Sequence, residues 1–153
     1  MDRGVTKVLV TGMSGTGKSS ALRALAARGH RTVDTDSSRW SRWEGTDWIW
    51  REEAVSALLQ VEGPVFVSGC KSNQGRFYPL FDHIVLLSAP AHVLLARIAA
   101  RTDNPYGKSP AERAEILANL AAVEPLLRAT CTLEIDTTAP LADVVRQLEN
   151  LVG

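Results

Sequence analysis

The chain predicts an α/β fold in which a parallel sheet is covered by helices on both faces. Three observations carry this. Apolar strand patterns and amphipathic helix patterns alternate from end to end. A glycine-rich turn, Gly12-x-x-x-x-Gly17-Lys18-Ser19, stands between the first strand pattern and the first helix pattern. No internal repeat, low-complexity tract or interdomain linker divides the 153 residues, so 1–153 reads as one domain with a single core.

The elements follow in order. Lys7–Thr11 is a buried strand, apolar through Val8, Leu9 and Val10. A helix spans about 18–28 and ends at Gly29, and 31–34 is a short second strand. After a Ser/Arg/Trp segment, Asp47 caps a helix whose Trp50, Ala54, Ala57, Leu58 and Val61 share one face. Gly63-Pro64 stops it before the strands Val65–Ser68 and 84–87. Ser88-Ala89-Pro90 then opens a helix that turns Leu94, Leu95 and Ile98 inward, with Pro90 tolerated in the first turn. The Asp-Asn-Pro-Tyr-Gly run makes 102–108 a loop. Ser109-Pro110-Ala111-Glu112 reads as a capping box, heading a helix that buries Ile116, Leu120, Val123 and Leu127 and kinks at Pro125. A fifth strand at 133–135 precedes a last helix with Leu141, Val144, Val145, Leu148, Leu151 and Val152 on one face.

Composition bounds the function. Seventeen basic residues balance seventeen acidic ones, so nothing points to a nucleic-acid surface. No apolar stretch reaches the length of a membrane span. Met1-Asp2-Arg3-Gly4 runs straight into the first strand, which leaves no signal peptide. Cys70 and Cys131 lack metal-ligand spacing and read as small core residues of a reduced compartment. A cytoplasmic enzyme, a monomer or homodimer acting on a small molecule, is the expectation.

The glycine turn carries the chemistry. Along Gly12, Met13, Ser14, Gly15, Thr16, Gly17, Lys18, Ser19 and Ser20, backbone N–H groups converge on an anion without side chains in the way. The helix that starts near Lys18 adds its positive N-terminal end. Lys18 reaches the outer phosphates of a nucleoside triphosphate, and the Ser19 hydroxyl ligates Mg²⁺.

A carboxylate has to complete such a site at the carboxyl end of a strand. Asp34 and Asp36 stand two residues apart in extended chain and so face one side. One can hold Mg²⁺ while the other accepts a proton from an acceptor hydroxyl. The same Asp-Thr-Asp-Ser-Ser run also fits a simple turn. Arg97 and Arg101, four apart on a helix, share a face beside the 102–108 loop.

With the glycine turn, the Asp34-x-Asp36 step and Arg97-Ile98-Ala99-Ala100-Arg101, nearly the whole chain resembles the small P-loop kinases. That superfamily takes in nucleoside monophosphate kinases, shikimate kinase and gluconate kinase. The resemblance implies a three-layer α/β/α P-loop fold, its five parallel strands ordered 2-3-1-4-5 as counted along the chain. It also implies phosphoryl transfer from Mg-ATP to a small acceptor. Arg97 would stack on adenine, Arg101 would reach the phosphates, and 102–108 would be a short lid with Gly107 as its hinge and Lys108 as an added charge. Ser19 and Asp34 are assigned to Mg²⁺, and Asp36 to the acceptor hydroxyl.

The acceptor side departs from the familiar members. The Gly-x-Pro-Arg step of adenylate kinase and the glycine run of shikimate kinase are both replaced by Gly69-Cys70-Lys71-Ser72. Gluconate kinases resemble this segment loosely. Four tryptophans, Trp40, Trp43, Trp48 and Trp50, lie among Arg39, Arg42 and Arg51. Aromatic rings beside arginines suit a flat anionic acceptor, a nucleotide or nucleoside-like compound. Candidate contacts are Asp34, Asp36, Arg39, Arg42, Lys71, Asn73, Gln74 and Arg76. The alternatives are a hydroxy acid as acceptor, or a nucleotide-dependent regulator that docks a protein on its tryptophans.

Overall fold

A computed structural model describes residues 6–102 and 104–152. The lead at residues 1–4 and Asp103 of the expected lid lie outside the described residues. Along the chain, β1 (Lys7–Thr11) passes through the glycine turn into α1 (Lys18–Ala27) and then β2 (Thr32–Asp34). A hairpin of β3 (Ser41–Glu44) and β4 (Asp47–Trp50) follows, then α2 (Glu52–Gln60) and β5 (Val65–Ser68). A 3₁₀ helix (Gln74–Leu80) leads to β6 (His83–Ser88), α3 (Ala91–Ala100) and α4 (Pro110–Thr130), and β7 (Leu133–Asp136) and α5 (Leu141–Glu149) end the order.

Five strands form one parallel sheet in the order β2-β5-β1-β6-β7. The hairpin takes the numbers 3 and 4, so in chain order the sheet runs 2-3-1-4-5, as expected. Successive side chains of β1 point to opposite faces, which makes two cores. Val8 and Val10 join Leu22 and Leu25 of α1 and Val144, Val145 and Leu148 of α5. Leu9 joins Trp50, Val55 and Leu58 with Phe77 and Phe81 on the other side. Layers on both faces explain why the strands read as continuous apolar runs. The arrangement is a three-layer α/β/α fold, with every strand of the sheet pointing its carboxyl end at one rim.

One element differs in kind from expectation. Asp47 does not cap a helix, because Asp47–Trp50 is β4, paired antiparallel with β3, and α2 starts at Glu52. Gly45-Thr46 is a two-residue turn between Glu44 and Asp47, and the aromatic and β-branched Trp48-Ile49-Trp50 favours a strand. The buried face of α2 is therefore Val55, Leu58 and Leu59, while Ala57 and Val61 are exposed. Trp50 reaches the core as expected, but from a strand end.

Smaller differences follow from packing. Ser109 Oγ accepts from Glu112 N at 3.1 Å with Pro110 at the first helical position, but the Glu112 carboxylate turns to Gly107 N instead of completing the box. The helix α4 runs through Pro125 to Thr130, with Ile116 and Leu127 buried and Leu120 and Val123 half-buried. Leu141 of α5 is exposed, whereas Leu151 and Val152 pack on the core beyond the helix end. Cys131 packs against the second core, but Cys70 lies at the rim of the sheet. No helix among the described residues is long and apolar enough to cross a membrane.

Candidate active site

A cavity of about 950 Å³ opens at the carboxyl ends of the parallel strands. All nine residues from Gly12 to Ser20 border it, together with Asp34, Asp36, Lys71, Arg97 and Arg101. This is where an open parallel sheet places its ligands.

The glycine turn is tight for a visible reason. At Gly12, with φ +151°, a Cβ would lie 2.5 Å from the Leu87 carbonyl oxygen and 2.8 Å from Thr16 Oγ1. Thr16 is buried and its Oγ1 donates to Met13 O at 2.8 Å, which ties the turn to itself. Gly17 is the N-cap of α1, and no side chain caps that end. No acidic residue occupies the first turn either. The orphan N–H groups and positive end of a ten-residue helix thus face the cavity with no carboxylate in the helix's own first turn.

Lys18 closes the turn, donating to Gly12 O at 2.5 Å and Met13 O at 3.1 Å. Burial away from water lowers its pKa, and the neighbouring Lys71 charge works the same way, while Cys70, Asp34 and Asp36 oppose them. An anion in the cavity would relieve that desolvation, so the ammonium is poised for a phosphate.

Asp34 and Asp36 both border the cavity, and Thr35 between them is buried on the opposite side. Sequence reasoning missed Thr35. Its Oγ1 donates to Ser68 O at 2.7 Å and accepts from Trp50 Nε1 at 2.7 Å, and its carbonyl accepts from Ser41 Oγ at 2.6 Å. One buried threonine therefore locks the end of β2 to β5 and to the base of the hairpin. The signal for it was a β-branched residue alternating with two acids. Asp34 Oδ1 accepts from Asp36 N at 3.0 Å, and Asp36 Oδ1 accepts from Trp48 Nε1 at 2.9 Å and Lys71 Nζ at 3.0 Å.

The two arginines of α3 border the cavity together but are held differently. Arg97 donates to Gly15 O, Thr137 Oγ1 and Thr137 O at 3.1, 3.0 and 2.6 Å, bridging the glycine turn and the turn after β7. Arg101 spends one donor on Tyr106 O at 3.0 Å, and its buried Nε has no hydrogen-bond partner among the described residues. A guanidinium N–H so placed beside the glycine turn can donate to an anion in the cavity.

The lid segment is anchored by its second half. Gly107, expected as a hinge, is buried at φ +92°, where a Cβ would lie 2.4 Å from Ile98 Cγ2 and 2.8 Å from Ile116 Cδ1. Close approach of the chain to α3 and α4 is what requires glycine there. Lys108 donates to the carbonyls of Ile98, Ala99 and Arg101 and so caps the end of α3, and it does not border the cavity. Asn104 and Tyr106 are the parts of the segment that border the cavity. Gly107→Ala should therefore destabilise the protein by about 1–3 kcal/mol through overpacking. Thermal denaturation should show this as a fall of about 2–4 °C per kcal/mol. An unchanged melting temperature would mean that the segment shifts freely.

Of the six cations and amides expected to hold the acceptor, Lys71 alone borders the cavity. Arg39 lies over the Trp40 ring, Arg42 pairs with Glu44 on the hairpin, and Arg76 pairs with Glu52. Asn73 bonds both the N–H and the carbonyl of Trp50, and Gln74 is buried between Thr11 Oγ1, Tyr78 Oη and Lys71 N. These amides build the wall that holds Lys71 and the hairpin in place.

Proteins of known structure share this fold. The chain superimposes on a shikimate kinase from Acinetobacter baumannii in complex with shikimate, with a TM-score of 0.70 at 18% identity, over 97% of this chain and 93% of that one. A gluconokinase from Sinorhizobium meliloti 1021 gives 0.67 at 23% identity, over 98% and 93%. A shikimate kinase from Bacteroides thetaiotaomicron gives 0.71 at 18% identity, over 96% and 98%. Set against curated protein sequences, the chain matches none. The family model described as AAA domain (AAA_18) matches residues 8–118, a span that takes in the glycine turn, both aspartates and both arginines. The chain belongs to that AAA-domain P-loop family, in the fold shared with the small P-loop kinases.

Proposed function

We propose that the protein is an ATP-dependent kinase that moves the γ-phosphoryl group of Mg-ATP to a hydroxyl of a small acceptor. The observation that carries this is one cavity holding both the uncapped glycine turn with Lys18 and the Asp34-Thr35-Asp36 step. Backbone N–H groups of the turn and Lys18 bind the β- and γ-phosphates. Ser19 and Asp34 supply the hard oxygen donors that Mg²⁺ takes, and Asp34 Oδ2 has no protein partner among the described residues. The metal neutralises phosphate charge when bound. Asp36 takes the proton of the acceptor hydroxyl as the new O–P bond forms and ADP departs. Arg101 Nε stabilises the phosphoryl oxygens in flight. Positioning and electrostatics supply most of the rate.

The acceptor reading shifts with the arginines. Arg39, Arg42 and Arg76 bind protein carboxylates or an aromatic ring away from the cavity, so a doubly charged nucleotide acceptor loses the cations that favoured it. Lys71 beside Asp36 suits a single carboxylate and a hydroxyl on one small molecule, the hydroxy-acid alternative. The solved kinases of similar fold include one in complex with shikimate. Incubation with Mg-ATP and a panel of hydroxy acids, sugar acids, nucleosides and nucleoside monophosphates tests both points. ADP release should rise with a hydroxy acid or sugar acid and stay at background with the nucleotides. Stimulation by a protein partner and by no small molecule would replace the kinase reading with a regulatory one.

A further inference from the structure

We propose that Trp48 is a positioning residue for the transfer step, its indole N–H setting the orientation of the Asp36 carboxylate. This rests on the kinase reading above. The hairpin register pairs Ser41 with Trp50 and Trp43 with Trp48, which places these four side chains on one face. Arg42 and Glu44 point the other way, and there they pair with each other. The near end of this face is fixed. Trp50 is fully buried with Nε1 on Thr35 Oγ1, Ser41 Oγ bonds Thr35 O, and Arg51 N bonds Trp40 O at 2.7 Å. Two residues further out, Trp48 aims the same indole N–H at a carboxylate instead of at a structural group.

The two indoles divide the work. Trp50 fastens the hairpin to the sheet, and Trp48 fastens Asp36 to the hairpin. Trp43 packs against the Trp48 ring at 5.1 Å between centroids and holds it in place. Both donors reach the same atom, Asp36 Oδ1, so Oδ2 is left with no partner among the described residues. Lys71 alone cannot set this. Its ammonium is a point charge with three rotatable donors that can serve either oxygen, whereas an indole has one N–H in one direction. Asp36 is otherwise 65% exposed and free to turn into solvent. With Trp48 in place, the free oxygen has a fixed direction from which to take a hydroxyl proton.

Trp48→Phe keeps the ring packing on Trp43 and removes the donor. We expect kcat to fall about ten- to a hundredfold, the range for one hydrogen bond to a charged group, with the KM for ATP within about twofold. The decisive measurement is the cycle with Asp36→Asn. If Trp48 acts through Asp36, adding Trp48→Phe to Asp36→Asn costs little further turnover; equal losses in both backgrounds would overturn the proposal. Failure of wild-type turnover with every acceptor would instead sink the kinase reading and take this proposal with it. A second measurement covers a Phe variant that does not fold. In a ¹H–¹⁵N spectrum of the full chain, the Trp48 indole resonance should move on Asp36→Asn while that of Trp50 stays. A Trp48 resonance that ignores Asp36 would overturn the proposal without reference to activity.

Discussion

Lys18→Ala is expected to abolish phosphoryl transfer, lowering turnover by at least about 10²-fold, while the protein stays folded. The argument has two halves. On the ligand side, the uncapped end of α1 and the Lys18 ammonium are the groups proposed to meet the phosphates, and of these the ammonium alone carries a full charge. On the stability side, Lys18 is buried and its pKa is lowered by desolvation. The folded state thus binds that proton less readily than the unfolded chain does. The destabilisation is fully present below the folded pKa and fades as pH rises towards the unfolded value. Removing the amine removes this burden, at the loss of hydrogen bonds to Gly12 O and Met13 O. The melting temperature should therefore hold or rise near neutral pH, a common trade at functional sites.

The same variant can be read without knowing the acceptor. A ligand at a hundred times its Kd stabilises the native state by about 2.7 kcal/mol. For a chain of this size that raises the melting temperature by roughly 5–10 °C. Wild type should show such a rise with Mg-ATP, and Lys18→Ala should show none. An equal rise in both would remove the glycine turn from nucleotide binding.

How much of this was legible depended on whether backbone or side-chain direction was at stake. The sheet strands at Lys7–Thr11 and Val65–Ser68 stand in the chain as bare apolar runs, because helices cover them on both sides. The glycine turn was legible because its function is carried by backbone, which spacing fixes. Residues 47–50 were not. Trp50 sits at helical spacing from Ala54 and Ala57, and a four-residue strand offers too little alternation to compete with that. Long-range pairing decided it, through the Gly45-Thr46 turn and through Thr35, whose links to Trp50, Ser41 and Ser68 lie 15, 6 and 33 residues away.

The residues expected on the acceptor side scatter for a related reason. Residue type at 71–76 was read correctly as polar and cationic, but the 3₁₀ helix Gln74–Leu80 turns Gln74 inward and leaves Arg76 to Glu52. Spacing in sequence says nothing of which carboxylate a flexible arginine will find. Arg97 and Arg101 do come together at the cavity, since a separation of four guarantees a shared face and the cavity lies there. What each guanidinium bonds was again a matter of distant carbonyls.

Asp36→Asn should lower turnover by about 10²–10⁴-fold, the usual contribution of a general base, with ATP affinity unchanged. The substitution is unusually clean here. An asparagine is the same shape, and its carbonyl oxygen can still accept from Trp48 Nε1 and Lys71 Nζ, as Oδ1 does now. The outward position, where Oδ2 stands, then carries an NH₂ group that donates and cannot take a proton. Geometry is kept and basicity is lost, so a fall in kcat reports the proton and not a collapsed wall. The ion pair with Lys71 is lost as well, which frees a positive charge beside the acceptor. An acceptor bearing a carboxylate should then bind no more weakly, and its KM should hold or fall while kcat drops. Steady-state kinetics on the acceptor found by the panel separates these terms. Undiminished kcat would move the base to Asp34, whose Oδ1 is already engaged by Asp36 N and whose other oxygen would then have to serve metal and proton together.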